Sequence, residues 1–204
     1  MRSFYTSLLL VLFLFFTFLL HAQQTGTFKD SRDGQIYSTI TIGNQTWMAE
    51  NMRYNVPGSF LDSNQTNIKI GRLYNFEQVK KACPKGWHLP TDKEWSILEM
   101  KLGLPSSDVE IEDFRGTHAN EMKAIGAWLY DDEANNKSGF SALPSGFLNK
   151  DGDFLMPDIL TFFWTSTTLG TSSAMNRYIA TRNPAVFKGH NLLAYSLSCR
   201  CVKD

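Results

Sequence analysis

The residues of this chain whose types could do chemistry are Cys83, Cys199 and Cys201, the histidines His88, His118 and His190, and the acidic run Asp131-Asp132-Glu133. In an oxidising compartment three cysteines form one disulfide and leave one thiol over. Cys199 and Cys201 stand two apart, which on an extended strand puts them on one face with side chains too far apart for an easy mutual bridge. Cys83 is therefore expected to pair with one of the two. Closing so long a loop removes on the order of 4 to 5 kcal/mol of unfolded-chain freedom. The histidines show no His-x3-His or His-Glu-x2-His spacing and do not make a metal or catalytic set. The acidic run could attract a cation, but nothing in the sequence positions it, so it reads as an exposed loop. Asp30-Ser31-Arg32-Asp33-Gly34 has the outline of a calcium loop, yet Arg32 stands where an oxygen ligand is needed and no glutamate closes the spacing. It is expected to be a hairpin turn. Ser145 lacks the Gly-x-Ser-x-Gly elbow of a hydrolase nucleophile. The sequence thus predicts no catalytic residues, no cofactor and no metal.

The elements that must position these residues follow from periodicity and turn chemistry. Phe28 to Met52 alternates strand and turn signals at Asp33-Gly34 and Gly43-Asn44-Gln45, a β-meander. Residues 53 to 71 are rich in Asn, Ser, Gly and Gln and form a loop. Phe76, Val79 and Cys83 fall at helical steps, predicting a first helix with Cys83 on its buried stripe and Pro84 as its stop. Gly86 allows a turn before Trp87 and His88. Thr91 and Glu94 then make a capping box, Pro90 with Trp95 is placed for a hydrophobic staple, and Trp95, Leu98 and Leu102 form the inward stripe of a second helix ended by Gly103. A short third helix is expected over His118 to Trp128. Strands are expected over Phe140 to Leu148, Phe162 to Thr167, Arg177 to Thr181 and Leu197 to Val202, with a turn at Asn149 to Asp153. Strands at both ends with helices between predict an α+β fold, mostly antiparallel, whose two ends meet in one sheet.

Residues 1–22 hold one early charge, Arg2, and an apolar run from Leu8 to Leu20 that is short for a membrane span. This predicts a signal peptide cleaved after Ala22, with an uncleaved anchor as the alternative. Residues 23–204 then form one domain of roughly 180 residues, large enough for a real core. Acidic and basic residues number 20 each in the whole chain. Without a basic block the mature chain lacks the footprint of a nucleic-acid binder. After signal cleavage no membrane span is expected.

Seven blocks, Asp30–Tyr37, Ile42–Met52, Gly71–Tyr74, Cys83–Thr91, Gly139–Pro144, Phe163–Thr167 and Arg200–Asp204, resemble in order those of the Fibrobacter succinogenes major paralogous domain family. That resemblance implies a secreted or surface protein of a Bacteroidetes-like organism. An aromatic helix leading to a cysteine, a second helix and a closing cysteine strand is also similar to the C-type lectin-like fold. There the first helix is bridged to the last strand, which implies Cys83 with Cys201, since Cys201 matches the family's terminal Arg-Cys-Val and Cys199 stands where valine is usual. His88 to Trp95 is similar to a segment of formylglycine-generating sulfatase-modifying enzymes. Their catalytic C-x4-C pair, upstream of the final strand, is missing from this chain.

The resemblance implies a non-catalytic extracytoplasmic binding module whose partner is a cell-surface or extracellular polysaccharide or protein. The alternative is a structural or adhesive module without a small ligand. The lectin-like likeness places the ligand surface on 103–139 with parts of 165–191. There Trp128, Tyr130, Asp131 and Asp132 are the candidate contacts, with Trp128 expected to be an exposed stacking platform. Trp87, His88, Pro90, Thr91, Glu94 and Trp95 are expected to be structural.

Overall fold

A computed structural model describes residues 24–64, 67–131 and 133–204. Residues 1–22, where a signal peptide is expected, and Asp132 lie outside the described residues. Strands β1 (Gln24–Lys29), β2 (Ile36–Ile42) and β3 (Gln45–Met48) open the domain. They are followed by β4 (Leu73–Tyr74), helix α1 (Phe76–Val79), β5 (Trp87–His88), helix α2 (Asp92–Lys101), β6 (Phe114–Arg115) and helix α3 (Ala119–Met122). The remainder is strand: β7 (Ser145–Leu148), β8 (Phe154–Pro157), β9 (Leu160–Leu169), β10 (Ser173–Ala180), β11 (Val186–Leu192), β12 (Leu197–Ser198) and β13 (Val202–Lys203).

One sheet runs β1-β2-β3-β13-β5, so the first and last strands share it. The other runs β4-β12-β9-β10-β11-β6, with β7 joined to β9 and β8. Pairing is antiparallel except for β12 and β7 against β9. The expected α+β, mostly antiparallel architecture is therefore present. The core lies on both sides of these strands because successive side chains point to opposite faces. Trp47, Phe163 and Val202 enter one apolar cluster, whereas their neighbours Met48, Trp164 and Cys201 enter the other.

The hairpin expected at Asp30 to Gly34 joins β1 to β2. The Asp30 carbonyl accepts from Gly34 N at 2.8 Å, Gly34 takes φ 77°, and the Asp30 carboxylate is held by Arg32. The capping box of α2 also forms: Glu94 N donates to Thr91 Oγ1 at 3.1 Å and Thr91 N donates to Glu94 Oε2 at 2.7 Å. Trp95 and Leu98 are fully buried beneath it.

Several expected elements differ. Helix α1 stops at Val79, and Cys83 lies beyond it, half-buried in a turn. Pro84 disfavours helical backbone at Cys83, and the carbonyls of Lys81 and Ala82 are bonded at 3.1 and 2.7 Å by the guanidinium of Arg32, which caps the segment from across the fold. The third helix ends at Met122 rather than Trp128. Lys123 is extended and pairs with Ala142, while Gly126 at φ 71° interrupts any continuation. The strand expected from Phe140 begins only at Ser145, after Ser141 at φ 56° and Pro144, which has no N–H to donate. Strand β11 was not expected, since Lys188-Gly189-His190 breaks its apolar pattern. Lys188 is nonetheless buried, paired to Asp92 at 3.1 Å.

Candidate functional site

The thirteen residues from Cys83 to Trp95 act on the fold. Cys83 is bridged to Cys201, with Cα atoms 5.8 Å apart, and Cys199 is left as a buried free thiol. Trp87 is buried, its ring 5.3 Å from that of Phe28. The Pro90 carbonyl accepts from Ser166 N at 2.8 Å, and Trp95 packs edge-on to Trp47 at 5.1 Å. The His88 ring reaches Asp204 through Nδ1 at 2.7 Å and Glu94 through Nε2 at 2.8 Å. Burial alone would lower the His88 pKa, but hydrogen bonds to the Asp204 and Glu94 carboxylates raise it above the usual imidazole value. His88 thus ties the C-terminus to the capping carboxylate of α2.

The segment after α3 carries the candidate ligand surface, and two of its residues face inward. Trp128 is only 5% exposed; its Nε1 donates to the Ala142 carbonyl at 3.1 Å, so it is core and not a stacking platform. The reason is the broken helix: Gly126 turns the chain back and drops the indole onto the cluster around Phe140. Asp131 is also buried. Its carboxylate holds Lys123 Nζ and accepts from Arg182 N at 3.0 Å, while Lys123 also bonds Asn120 Oδ1 and the Asn183 carbonyl, each at 3.0 Å. Burial would raise the Asp131 pKa, but the Lys123 bond and the Arg182 N–H lower it below the ordinary carboxylate value.

Tyr130, between these two inward residues, is 70% exposed. The Arg182 guanidinium lies 5.3 Å from its ring centroid, and Arg182 Nε donates to the Tyr130 carbonyl at 2.8 Å. Tyr130, Asp131, Glu133 and Arg182 line an open recess of about 370 Å³. Glu133 is oriented there by Asn120 Nδ2 at 2.9 Å. The backbone around the recess is strained. Tyr130, Met156, Asp158 and Arg182 all have φ between 53° and 63°, and the segments of Tyr130 and Asp158 are joined by the Leu129 N to Asp158 O bond at 2.9 Å. Residues held in this region cost of order 1 kcal/mol or more and persist where surrounding structure over-determines them, often at ligand clamps. Arg182 is the residue that sequence reading did not single out. It has no motif, and only the β10–β11 turn brings it to Tyr130.

A second recess of about 150 Å³ is lined by Ser38, Ala49, Glu50, Asn67, Lys69, Ala124, Ser141 and Leu143. Burial would raise the Glu50 pKa, but bonds from Arg53, Ser38 and Lys69 bring it down to about 2. Deeper, Glu99 is fully buried and bonded to Arg115 and Arg177, while Asp92 takes Arg177 at 2.6 Å as well as Lys188. Both carboxylates are held below their ordinary range: burial opposes this, but His118 followed by Arg177 and Arg115 outweigh it at Glu99, and Arg177 and Lys188 do so at Asp92. Carboxylates engaged in this way clamp α2 to β10 and β11.

Among the described residues, no helix is long and apolar enough to cross a membrane. No curated protein and no solved structure matches the chain. The model of the Fibrobacter succinogenes major domain matches residues 40–203, a span that holds Trp47 and Trp95 in the core, the Cys83–Cys201 bridge and the Tyr130–Arg182 recess alike. By that match over most of its length, the chain belongs to the Fibrobacter succinogenes major domain family.

Proposed function

We propose that this protein is a non-catalytic, extracytoplasmic binding module of C-type lectin-like architecture that takes a saccharide at the Tyr130–Arg182 recess. The observation that carries this reading is Tyr130. A large aromatic ring is held out in solvent on left-handed backbone, with a guanidinium fixed beside it and a carboxylate oriented across the recess. An exposed ring beside hydrogen-bonding groups of both charges suits a polyhydroxylated ring, which offers an apolar face and a rim of hydroxyls. The lectin-like architecture is supported by a disulfide from the turn after the first helix to the final strand, and by the first and last strands sharing a sheet. A non-catalytic role is supported by the acid groups. A general base works best with a pKa near the operating pH, and Glu50, Asp92 and Glu99 are each driven the other way by cations that occupy them. Secretion rests on the apolar leader and on the disulfide.

The second reading, an adhesive module that packs against another protein, is favoured by the exposed apolar side chains Ile125 and Leu129 in the same loop and Met156 on β8. The two are separated by calorimetric titration with a panel of neutral and acidic polysaccharides. Saccharide binding is expected to be lost in Tyr130→Ala, with thermal stability within about 0.5 kcal/mol of the parent because the side chain is exposed. Heat from no polysaccharide, or affinity unchanged in Tyr130→Ala, removes the saccharide reading.

A further inference from the structure

The three cysteines form a cluster that a single disulfide does not account for. We propose that, when the Cys83–Cys201 bond is reduced, Cys83, Cys199 and Cys201 become a tri-thiolate site for one soft divalent d10 cation of the zinc–cadmium class.

The cluster forms where the chain passes from β12 to β13. Cys199 and Cys201 stand two apart in that connection and both enter the same apolar cluster, against which Cys83 packs. The carbonyls of Cys199 and Cys201 accept from Met52 N at 2.9 Å and Met48 N at 3.0 Å, which fixes that backbone against the end of β3 and the segment after it. The three Sγ atoms lie within 4.8 Å of one another. Cys199 Sγ is 3.7 Å from Cys83 Sγ and 3.8 Å from Cys201 Sγ. Metal–sulfur bonds of about 2.3 Å in tetrahedral coordination require sulfur–sulfur edges of about 3.8 Å. Cys199 is therefore already at ligand spacing from both partners.

The same two distances argue against the other use of a third cysteine. Thiol–disulfide exchange proceeds by attack of a thiolate on a disulfide sulfur, along the axis of the bond that breaks. A sulfur almost equidistant from both ends sits beside the bond instead. Burial also pushes the Cys199 thiol well up, against thiolate formation. In the oxidised protein Cys199 is thus an idle neighbour, and reduction gives it a role.

The charge of the surroundings suits an anionic cluster. Arg200, between the two cysteines, is fully buried, and its hydrogen bonds go to neutral oxygens: Asn51 Oδ1 at 2.7 and 3.1 Å and the carbonyls of Met48, Phe140 and Ser141. A divalent cation with three thiolates carries one net negative charge; the Arg200 guanidinium stacks over Phe140 and Phe163 in the neighbouring cluster, and its charge and that of Arg32 both reach Cys199. The described cluster contains only sulfur ligands, which selects soft cations over calcium or magnesium. Cys83 is the half-buried member and offers the entry point.

Electrons and protons balance with a phosphine reductant. The phosphine is oxidised to its oxide, water supplies the oxygen and two protons, and the disulfide becomes two thiols. Cation binding then releases three protons, one from each cysteine.

The test is an anaerobic titration of the phosphine-reduced protein with cadmium alone, read by thiolate-to-metal charge-transfer absorption and by proton release. Saturation at one equivalent, three protons released and no signal from the oxidised protein are expected. The variant Cys199→Val keeps the disulfide, so its oxidised fold is checked first by near-ultraviolet circular dichroism; once reduced, it is expected to lose the one-equivalent saturation. Equal binding by reduced Cys199→Val overturns the proposal. So does absence of cadmium binding by a reduced parent that remains folded, or a reduced parent that unfolds and is not refolded by cadmium.

Discussion

At the scale of single residues, charge and exposure separate groups that look alike in sequence. Trp128 and Tyr130 are two apart in one loop, yet the first is core and the second is open to solvent. Asp131 and Glu133 belong to one acidic run and both line the recess, yet the first is buried against Lys123 and the second is exposed. Glu50 gives a measurable consequence. Its pKa is lowered from 4.5 to about 2, so its ion pairs stabilise the fold above the unfolded value and that contribution is lost as pH falls toward 2. A shift of that size corresponds to about 3 kcal/mol. Urea unfolding across pH 2 to 6 is expected to show Glu50→Gln less stable by about that amount near pH 6, with the gap closing in acid. A pH-independent gap would mean that the carboxylate acts through packing rather than charge.

At the scale of elements, α2 is specified locally at its start and globally on its inner face. Thr91→Ala removes the cap and is expected to cost about 1 kcal/mol in chemical denaturation. Glu99→Gln acts differently, because it leaves the buried guanidinium groups of Arg115 and Arg177 short of their counter-charge. Breaking a buried pair costs about 3 to 5 kcal/mol, so the glutamine variant is expected to fall well below the cap variant in the same assay. If the two losses are equal, the network contributes little beyond packing. The cap was legible from Thr91 and Glu94 alone, since a capping box is a contact between residues three apart. The network was not, since it joins α2 to β6, β10 and β11, reaching in sequence from Asp92 to Lys188.

At the scale of the molecule, the ends of the domain are fastened together twice, by β13 between β3 and β5 and by Cys83–Cys201. The bridge spans 118 positions, and opening it is expected to cost about 4 to 5 kcal/mol in the chain-entropy account. Unfolding midpoints with and without reductant measure this, and an unchanged midpoint would show that the sheet alone holds the ends. Alternation, turn chemistry and capping, all short-range constraints, were enough to determine from sequence the mostly antiparallel α+β class, the Asp30 hairpin, the start of α2 and the membership of Trp95 in the core. Tertiary structure alone decided where Trp128 points, that Arg182 meets Tyr130, and that Cys199 lies against the bridge. Each of these depends on where the chain turns at Gly126, at β10–β11 and between β12 and β13. A turn's direction is set by the long-range packing that surrounds it, and local sequence carries no record of that packing.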